Sequence, residues 1–198
     1  ATRLRSRLGL RALTHSTLIG LLAATGLRPG EALAMDTGDV DLESGILAIR
    51  ETKFGKSRFV PLHDSARQAL AEYAAVRERL CPQRLTGTFF VSERGKRLVS
   101  SSVRRTFARL SSAVGLRRLP AAKRLGRGPR LQDLRHSFAT RRLIEWYRAG
   151  FDVRREMPKL TTYLGHAGVA STYWYIEAVP ELLQLATEHL KGASGGAP

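Results

Sequence analysis

A short segment near the end of the chain, residues 160–175, concentrates side chains that could carry out chemistry on a phosphate. It reads LTTYLGHAGVASTYWY and places His166 among Tyr163, Tyr173 and Tyr175. A tyrosine hydroxyl can act as a covalent nucleophile, and a histidine beside it can hydrogen-bond a reacting oxygen. Attack on a phosphodiester also needs cations, because negative charge builds up in the transition state.

Three cations in separate segments have local settings suited to binding a phosphate: Arg28, Lys53 and Arg135. Arg28 precedes Pro29 at a predicted helix start, where unpaired N–H groups and the helix dipole favour an anion. Lys53 lies in a turn between two predicted strands, from which one ammonium group could reach a DNA groove. A surface salt bridge for Arg28 and a merely solvated charge for Lys53 remain open alternatives at this point.

The charge of the chain points to a polyanionic partner. Its 198 residues include 33 Lys and Arg but 17 Asp and Glu, which gives a formal net charge of +16. Such an imbalance costs self-repulsion unless nucleic acid or another polyanion relieves it. Cys81 is the single cysteine, so no intrachain disulfide can form. With no signal peptide and no membrane segment in the pattern, we expect a DNA-binding protein of the bacterial cytoplasm.

Several common chemistries lack their sequence patterns. The chain has no Cys/His cluster for zinc, no phosphate-binding GxxxxGK[ST] loop and no GxSxG serine motif. Asp36, Asp39 and Asp41 could in principle bind magnesium as in a two-metal nuclease. Their turn-rich setting favours capping instead, so we expect neither a metal nor a cofactor.

Hydrophobic periodicity and turn signals predict a mainly α-helical α+β fold with a small antiparallel sheet. Strands are predicted at 46–51, 58–62 and 88–92. A helix is expected to start at Arg28, and Asp64 is expected to cap the helix after the hairpin. The other helices are predicted at 14–25, 65–80, 100–114, 131–148, 157–164, 171–176 and 181–190.

Residues 116–130 differ from the rest of the chain because they hold six cations, two prolines and two glycines but no acid. Such a segment cannot build a core, and we expect a loop that follows a phosphate backbone. Its cations are Arg117, Arg118, Lys123, Arg124, Arg127 and Arg130.

Four motifs together resemble the catalytic domain of the tyrosine recombinases, the phage-type integrases. They are TGLRPGEAL, TKFGKSRFVPL, LQDLRHSFAT and YLGHAGVASTYWY, in the order and at the separations of that family, and the resemblance covers residues 1–191. The ending STYWYIEAVPELL is most similar to members carried by transposons.

The resemblance implies roles for the cations. Arg28 and Arg135 would clamp the scissile phosphate of double-stranded DNA, and Lys53 would protonate the leaving 5′ oxygen. Lys56 aligns with a neighbouring basic position that contacts DNA. Gln132 stands where the family has His or sometimes Lys, and a glutamine cannot exchange a proton near neutral pH. Either the base is dispensable, or the enzyme is slow, or His136 or water replaces it.

The resemblance also implies that His166 hydrogen-bonds the phosphate and that Tyr175 forms a 3′-phosphotyrosyl bond, without metal or ATP. Tyr173 is the alternative nucleophile, but residues two apart point to opposed faces of a helix. We expect His136 and Tyr163 to pack or to hydrogen-bond within the structure. By the same comparison, Glu31 and Asp133 would brace the arginines.

At the level of the whole protein, the resemblance implies a recombinase that works as a tetramer on DNA and is monomeric when free. The family's N-terminal DNA-binding domain is expected to be absent from this chain. Residues 180–191 would form a helix that packs on a neighbouring protomer or in its own core, followed by a flexible tail at 192–198. The alternatives are a type IB topoisomerase-like enzyme and a non-catalytic DNA-binding relative. A plain nucleic-acid-binding module would need aromatic stacking platforms that the sequence lacks.

Overall fold

A computed structural model describes residues 9–50, 57–83, 86–117, 128–178, 181, 182 and 184. The chain forms two compact units, Ala1–Arg135 and His136–Pro198, with the boundary inside the helix that begins at Asp133. The described elements, in chain order, are α1 (Leu10–Thr25), α2 (Pro29–Ala34), a 3₁₀ turn (Thr37–Asp39), β1 (Val40–Asp41), β2 (Ile46–Ile49), β3 (Arg58–Pro61), α3 (Asp64–Leu80), α4 (Ser100–Ala113), α5 (Asp133–Arg148), α6 (Val153–Leu164) and α7 (Ala170–Ala178).

The sheet of the first unit is antiparallel, with the strand order β1-β2-β3. In β2, Ile46 lies opposite Pro61 of β3, and Ile49 lies opposite Arg58. The predicted α+β class with a small antiparallel sheet is therefore confirmed. Strand β1 was not predicted, because two residues are too few to show an alternating pattern.

Several predicted elements need correction, and helix α1, for example, begins at Leu10 rather than Thr14. Residues 88–92 form no strand; Thr88 and Val91 make only isolated bridges. His63, not Asp64, is the N-cap of α3: its Nδ1 accepts a hydrogen bond from the Ser65 N–H at 3.3 Å. Helix α6 begins earlier than predicted because the carboxylate of Asp152 accepts a hydrogen bond from the Arg154 N–H at 3.0 Å.

The core of the first unit forms where α1 packs on α3. Leu18 and Leu22 of α1 are buried, as are Leu70 and Tyr73 of α3, the helix on which α1 packs. Each fully buried aliphatic side chain of this kind contributes about 1.5–3 kcal/mol. Helix α1 then ends at Gly26, whose φ of 63° lies in the left-handed region that glycine adopts without strain.

The core of the second unit joins α5, α6 and α7. Leu143 of α5 and Met157 of α6 have no exposed surface, and Leu164 is equally buried. Tyr175 of α7 belongs to the same apolar cluster, so a polar-tipped side chain lies within the core. Within the described residues, no helix combines the length and the hydropathy that crossing a bilayer requires.

Candidate active site

Arg28 lies at the start of α2, as predicted, and one carboxylate holds both its backbone and its side chain. The Arg28 N–H donates to Glu31 Oε2 at 3.0 Å, and Arg28 Nη1 donates to Glu31 Oε1 at 2.8 Å. Glu31 occupies the third helical position, from which an acidic side chain can reach back to the first unpaired N–H. The expectation that Glu31 braces an arginine is therefore confirmed.

Arg58 on β3 is a second partner of the same carboxylate. Its Nη1 donates to Glu31 Oε1 at 3.1 Å and its Nη2 donates to Oε2 at 2.8 Å. The Arg58 and Glu31 side chains are 9% and 7% exposed, whereas that of Arg28 is 35% exposed. The group carries two positive charges and one negative charge, and its accessible cation is Arg28.

The protonation of Glu31 follows from these contacts. Burial by itself acts to raise the pKa of the Glu31 carboxyl. The hydrogen bonds from the Arg58 side chain and the Arg28 backbone, with the nearby positive charge, outweigh burial, so the pKa lies below its usual value of 4.5. Glu31 is consequently an anion at neutral pH and holds both guanidinium groups.

Arg135 is buried, with 3% exposure, and its Nη1 donates to the carbonyl oxygen of Gly26 at 2.8 Å. Gly26 and Arg28 are two residues apart, so their Cα atoms are separated by at most about 7 Å. The contact therefore brings the first turn of α5 to the segment where α2 begins. Gln132 is exposed just before α5, and its carbonyl accepts a hydrogen bond from the Arg135 N–H at 3.1 Å.

In the second unit, His166 follows the end of α6 and is held by backbone and side chain. Gly165 has a φ of 67°, which allows the chain to turn, and the His166 N–H reaches the carbonyl of Thr161 at 3.0 Å. The His166 Nδ1 atom lies 2.8 Å from the Thr172 hydroxyl oxygen. Thr172 is fully buried, so this contact is shielded from water.

Tyr175 is 3% exposed and its ring packs near two imidazoles. Its ring centroid is 6.2 Å from that of His166, with the planes 16° apart, and 5.5 Å from that of His136. Tyr173 is 38% exposed, which agrees with the expectation that the two tyrosines lie on different faces of α7. Tyr175 is thus enclosed by the apolar core of the second unit.

The expected packing roles of His136 and Tyr163 are confirmed. Tyr163 stacks on Phe138 with centroids 5.6 Å apart and an interplanar angle of 19°. His136 packs against Trp174 as well as Tyr175. Its Nδ1 atom is buried and has no hydrogen-bond partner in the part of the chain that the structure describes.

Two of the predicted DNA-binding cations, Arg117 and Arg130, lie among the described residues. Arg117 donates to the carbonyls of Gly128 and Pro129 at 3.2 and 2.8 Å, and so ties together the two ends of the basic segment. Arg130 is exposed and pairs with Asp133 at 3.1 Å. The expected bracing of Arg135 by Asp133 stays a prediction. Outside the described residues lie Lys53, Lys56, Arg118, Lys123, Arg124 and Arg127.

The acidic side chains considered as magnesium ligands each serve a local contact. Asp36 binds Arg97 at 3.0 Å, and Asp39 binds the Asp36 N–H at 2.9 Å. Asp41 accepts from the N–H groups of Glu43 and Ser44. No group of three His, Cys, Asp or Glu side chains suited to a metal occurs among the described residues.

Sequence reasoning missed two features of these sites. Arg58 reads as an ordinary basic residue of an exposed strand, and only its pairing across 27 positions with Glu31 reveals its role. Thr172 has no motif of its own, although its position six residues after His166 allows a return contact from the next helix.

The chain is similar to known proteins of one family. The pattern of the phage integrase family matches residues 6–181. A Sinorhizobium fredii protein named as an integrase/recombinase, y4rB, is 43% identical over 187 residues, which are 94% of this chain and 58% of that protein. The chain thus spans less than two thirds of this relative.

Two solved structures show the same fold. The XerA recombinase aligns with a TM-score of 0.69 and 27% identity, over 90% of this chain and 57% of that one. The XerH recombinase, solved in a post-cleavage complex with a palindromic difH substrate, aligns with a TM-score of 0.66 and 25% identity, over 93% and 47% of the two chains. The fold is that of tyrosine recombinase catalytic domains, and the chain belongs to the phage integrase family.

Proposed function

We propose that residues 1–191 are the catalytic domain of a site-specific DNA recombinase that cuts and rejoins strands through a covalent bond to Tyr175. The observation that most supports this is the parallel packing of the His166 and Tyr175 rings, 6.2 Å apart. A phenol beside a histidine suits nucleophilic attack on a phosphate, whereas DNA binding alone requires neither.

Arg28 and Arg135 are proposed to bind the non-bridging oxygens of the scissile phosphate. An arginine fork provides paired donors to such oxygens, and its charge stabilises the pentacoordinate transition state. The excess positive charge of the Arg28–Glu31–Arg58 group supports this role. With these cations compensating the charge, the reaction needs neither a metal ion nor ATP.

Lys53 is proposed to protonate the leaving 5′ oxygen, and Gln132 to hydrogen-bond the phosphate where relatives carry His or Lys. Lys56 and the cations of the 116–130 segment are proposed to contact the DNA backbone. The similarity of the chain's ending to transposon-borne members supports a role in moving a mobile element. On DNA, we propose a tetramer in which residues 180–191 pack on a neighbouring protomer.

A covalent-trapping assay tests this proposal. The protein is mixed at low salt with nicked duplexes of random sequence that lose a short fragment after cleavage, and denaturant-resistant adducts are collected. We expect an adduct that forms in the presence of a chelator and maps to Tyr175. Tyr175→Phe should abolish the adduct, and Tyr173→Phe should preserve it.

Three outcomes would contradict the proposal. An adduct at Tyr173 would give the nucleophile to the exposed tyrosine. An adduct that appears only with Gln132→His would assign the chain to the impaired relatives of the family. Relaxation of supercoiled DNA without exchange of strands would favour the topoisomerase-like alternative.

A further inference from the structure

A chain of hydrogen bonds with a fixed direction leads from His166 into α6. Thr161 Oγ1 lies 2.8 Å from the carbonyl oxygen of Met157 and 2.9 Å from Thr172 Oγ1. Thr172 Oγ1 in turn lies 2.8 Å from His166 Nδ1. Both threonines are buried, with 7% and 0% exposure, so water does not compete for these hydroxyls. The side chains of Thr161, Thr172 and His166 therefore form one continuous hydrogen-bonded relay.

The direction follows from counting protons. A carbonyl oxygen only accepts, so the single hydroxyl proton of Thr161 points to Met157. Thr161 can then only accept from Thr172, which uses the single hydroxyl proton of Thr172. Thr172 in turn can only accept from His166, so the proton of the ring lies on Nδ1.

We infer that Thr161 and Thr172 are positioning residues that hold neutral His166 as its Nδ1–H tautomer, so that Nε2 accepts the proton of Tyr175. In this tautomer Nε2 carries a lone pair and cannot donate a hydrogen bond to a phosphate. The inference rests on the proposed function, and it assigns the base that Gln132 cannot supply.

In the proposed cleavage step, one bond to phosphorus forms and another breaks. The Tyr175 O–H proton moves to His166 Nε2, a bond forms between Tyr175 Oη and phosphorus, and the bond from phosphorus to the 5′ oxygen breaks. The 5′ oxygen leaves with a proton from Lys53, as proposed above. The resulting imidazolium has N–H groups at both nitrogens, so Nε2 can then donate to the phosphate.

The first test measures the tautomer directly, without DNA. Long-range ¹H–¹⁵N correlation spectra of the ¹⁵N-histidine-labelled protein distinguish a protonated ring nitrogen from one with a lone pair. For neutral His166 we expect a protonated Nδ1 and a lone pair on Nε2. A proton on Nε2 instead would overturn the inference, whatever the protein does to DNA.

The second test reverses the relay. Thr161→Val removes the acceptor of the Thr172 proton, so the Thr172 hydroxyl can donate to Nδ1 and the ring proton should shift to Nε2. Thr172→Val should remove the preference for Nδ1–H, and Thr172→Ser should restore it. Thr162→Val, on an exposed neighbour in α6, is the matched control and should leave the tautomer unchanged. An unchanged tautomer in Thr161→Val would contradict the relay.

The third test measures adduct formation with DNA that carries sulfur in place of the bridging 5′ oxygen. A thiolate leaves without a proton, so this substrate removes the need for an acid but not for a base. We expect Thr161→Val and Thr172→Val to lose at least about tenfold in rate, and no more than the roughly 10²–10⁴-fold that a positioned proton transfer contributes. Both variants should keep that defect with sulfur. The rate of adduct formation by Lys53→Ala, in contrast, should be restored by the sulfur-containing substrate.

The outcomes separate the inference from the proposed function. Wild-type rates in both valine variants would overturn the assignment of His166 as the base. Absence of any adduct with the unmodified protein, despite a protonated Nδ1, would refute the proposed function and with it the proton transfer. The tautomer assignment would then stand by itself.

Discussion

Arg58 binds both carboxylate oxygens of Glu31, at 3.1 and 2.8 Å, while the same carboxylate also accepts hydrogen bonds from Arg28. Without Arg58, the charge of Glu31 would cancel that of Arg28. With Arg58 present, the group keeps one net positive charge, and the partly exposed Arg28 can offer it to an anion. An arginine on a strand, whose side chain is 9% exposed, thus supports an arginine at a helix start.

Replacing Arg58 with methionine should destabilise the first unit. The change leaves a buried carboxylate with only one of its two guanidinium partners, and breaking a buried pair costs about 3 kcal/mol or more. The free energy of unfolding from urea titration measures the effect. Arg104→Met on the exposed face of α4 is the control and should change stability by less than about 0.5 kcal/mol. Equal stability of the two variants would contradict the importance of the pair.

Glu31 should make stability depend on pH in the acidic range. Its folded pKa lies below 4.5, so its contribution is complete above that value and is lost as the pH falls through the folded pKa. Glu31→Gln removes the titrating group and should flatten this part of the curve. Urea titrations in a series of acidic buffers would show the difference, and parallel curves for the two proteins would refute it.

His15 should add a separate dependence nearer neutral pH. Burial is the largest influence and lowers the pKa of the His15 imidazole from 6.5, although its Nδ1 contact to the Arg11 carbonyl at 2.8 Å opposes this. The stability that neutral His15 contributes is present above about pH 6.5 and is lost as the pH falls through the folded pKa. The wild type should lose more stability than His15→Leu between about pH 7 and about pH 5. A constant difference in stability between the two proteins over this interval would exclude His15 as the source of the pH dependence.

The basic segment should determine how DNA binding depends on salt. Replacing Lys123, Arg124 and Arg127 together with glutamine should reduce the magnitude of the negative slope of log K against log salt by up to about 2.7, because each phosphate contact contributes about 0.9. The matched control replaces three exposed arginines of α4 and removes the same charge: Arg104, Arg105 and Arg109. Fluorescence anisotropy at several salt concentrations measures both slopes. An equal reduction of the slope in both triple variants would show that total charge, rather than this segment, determines the salt dependence.

Local patterns in the sequence determined much of the fold and the identity of the candidate residues. Proline, glycine and glutamate after Arg28 predicted a helix start because they act within one turn, and the structure confirms it. The separation of Tyr173 and Tyr175 on α7 follows from helical periodicity alone. The cap of α3 was misassigned because adjacent polar residues, His63 and Asp64, compete for the same N–H groups.

Only the tertiary structure decided which of these residues are joined. Arg135 reaches the Gly26 carbonyl across 109 positions in the sequence, and Arg58 reaches Glu31 across 27. No local sequence pattern operates over such separations. The burial of Tyr175 depends on side chains from three helices packing around it. The direction of the Thr161–Thr172–His166 relay likewise required α6 and α7 to meet, because a hydroxyl has one proton and its neighbours in space determine where that proton points.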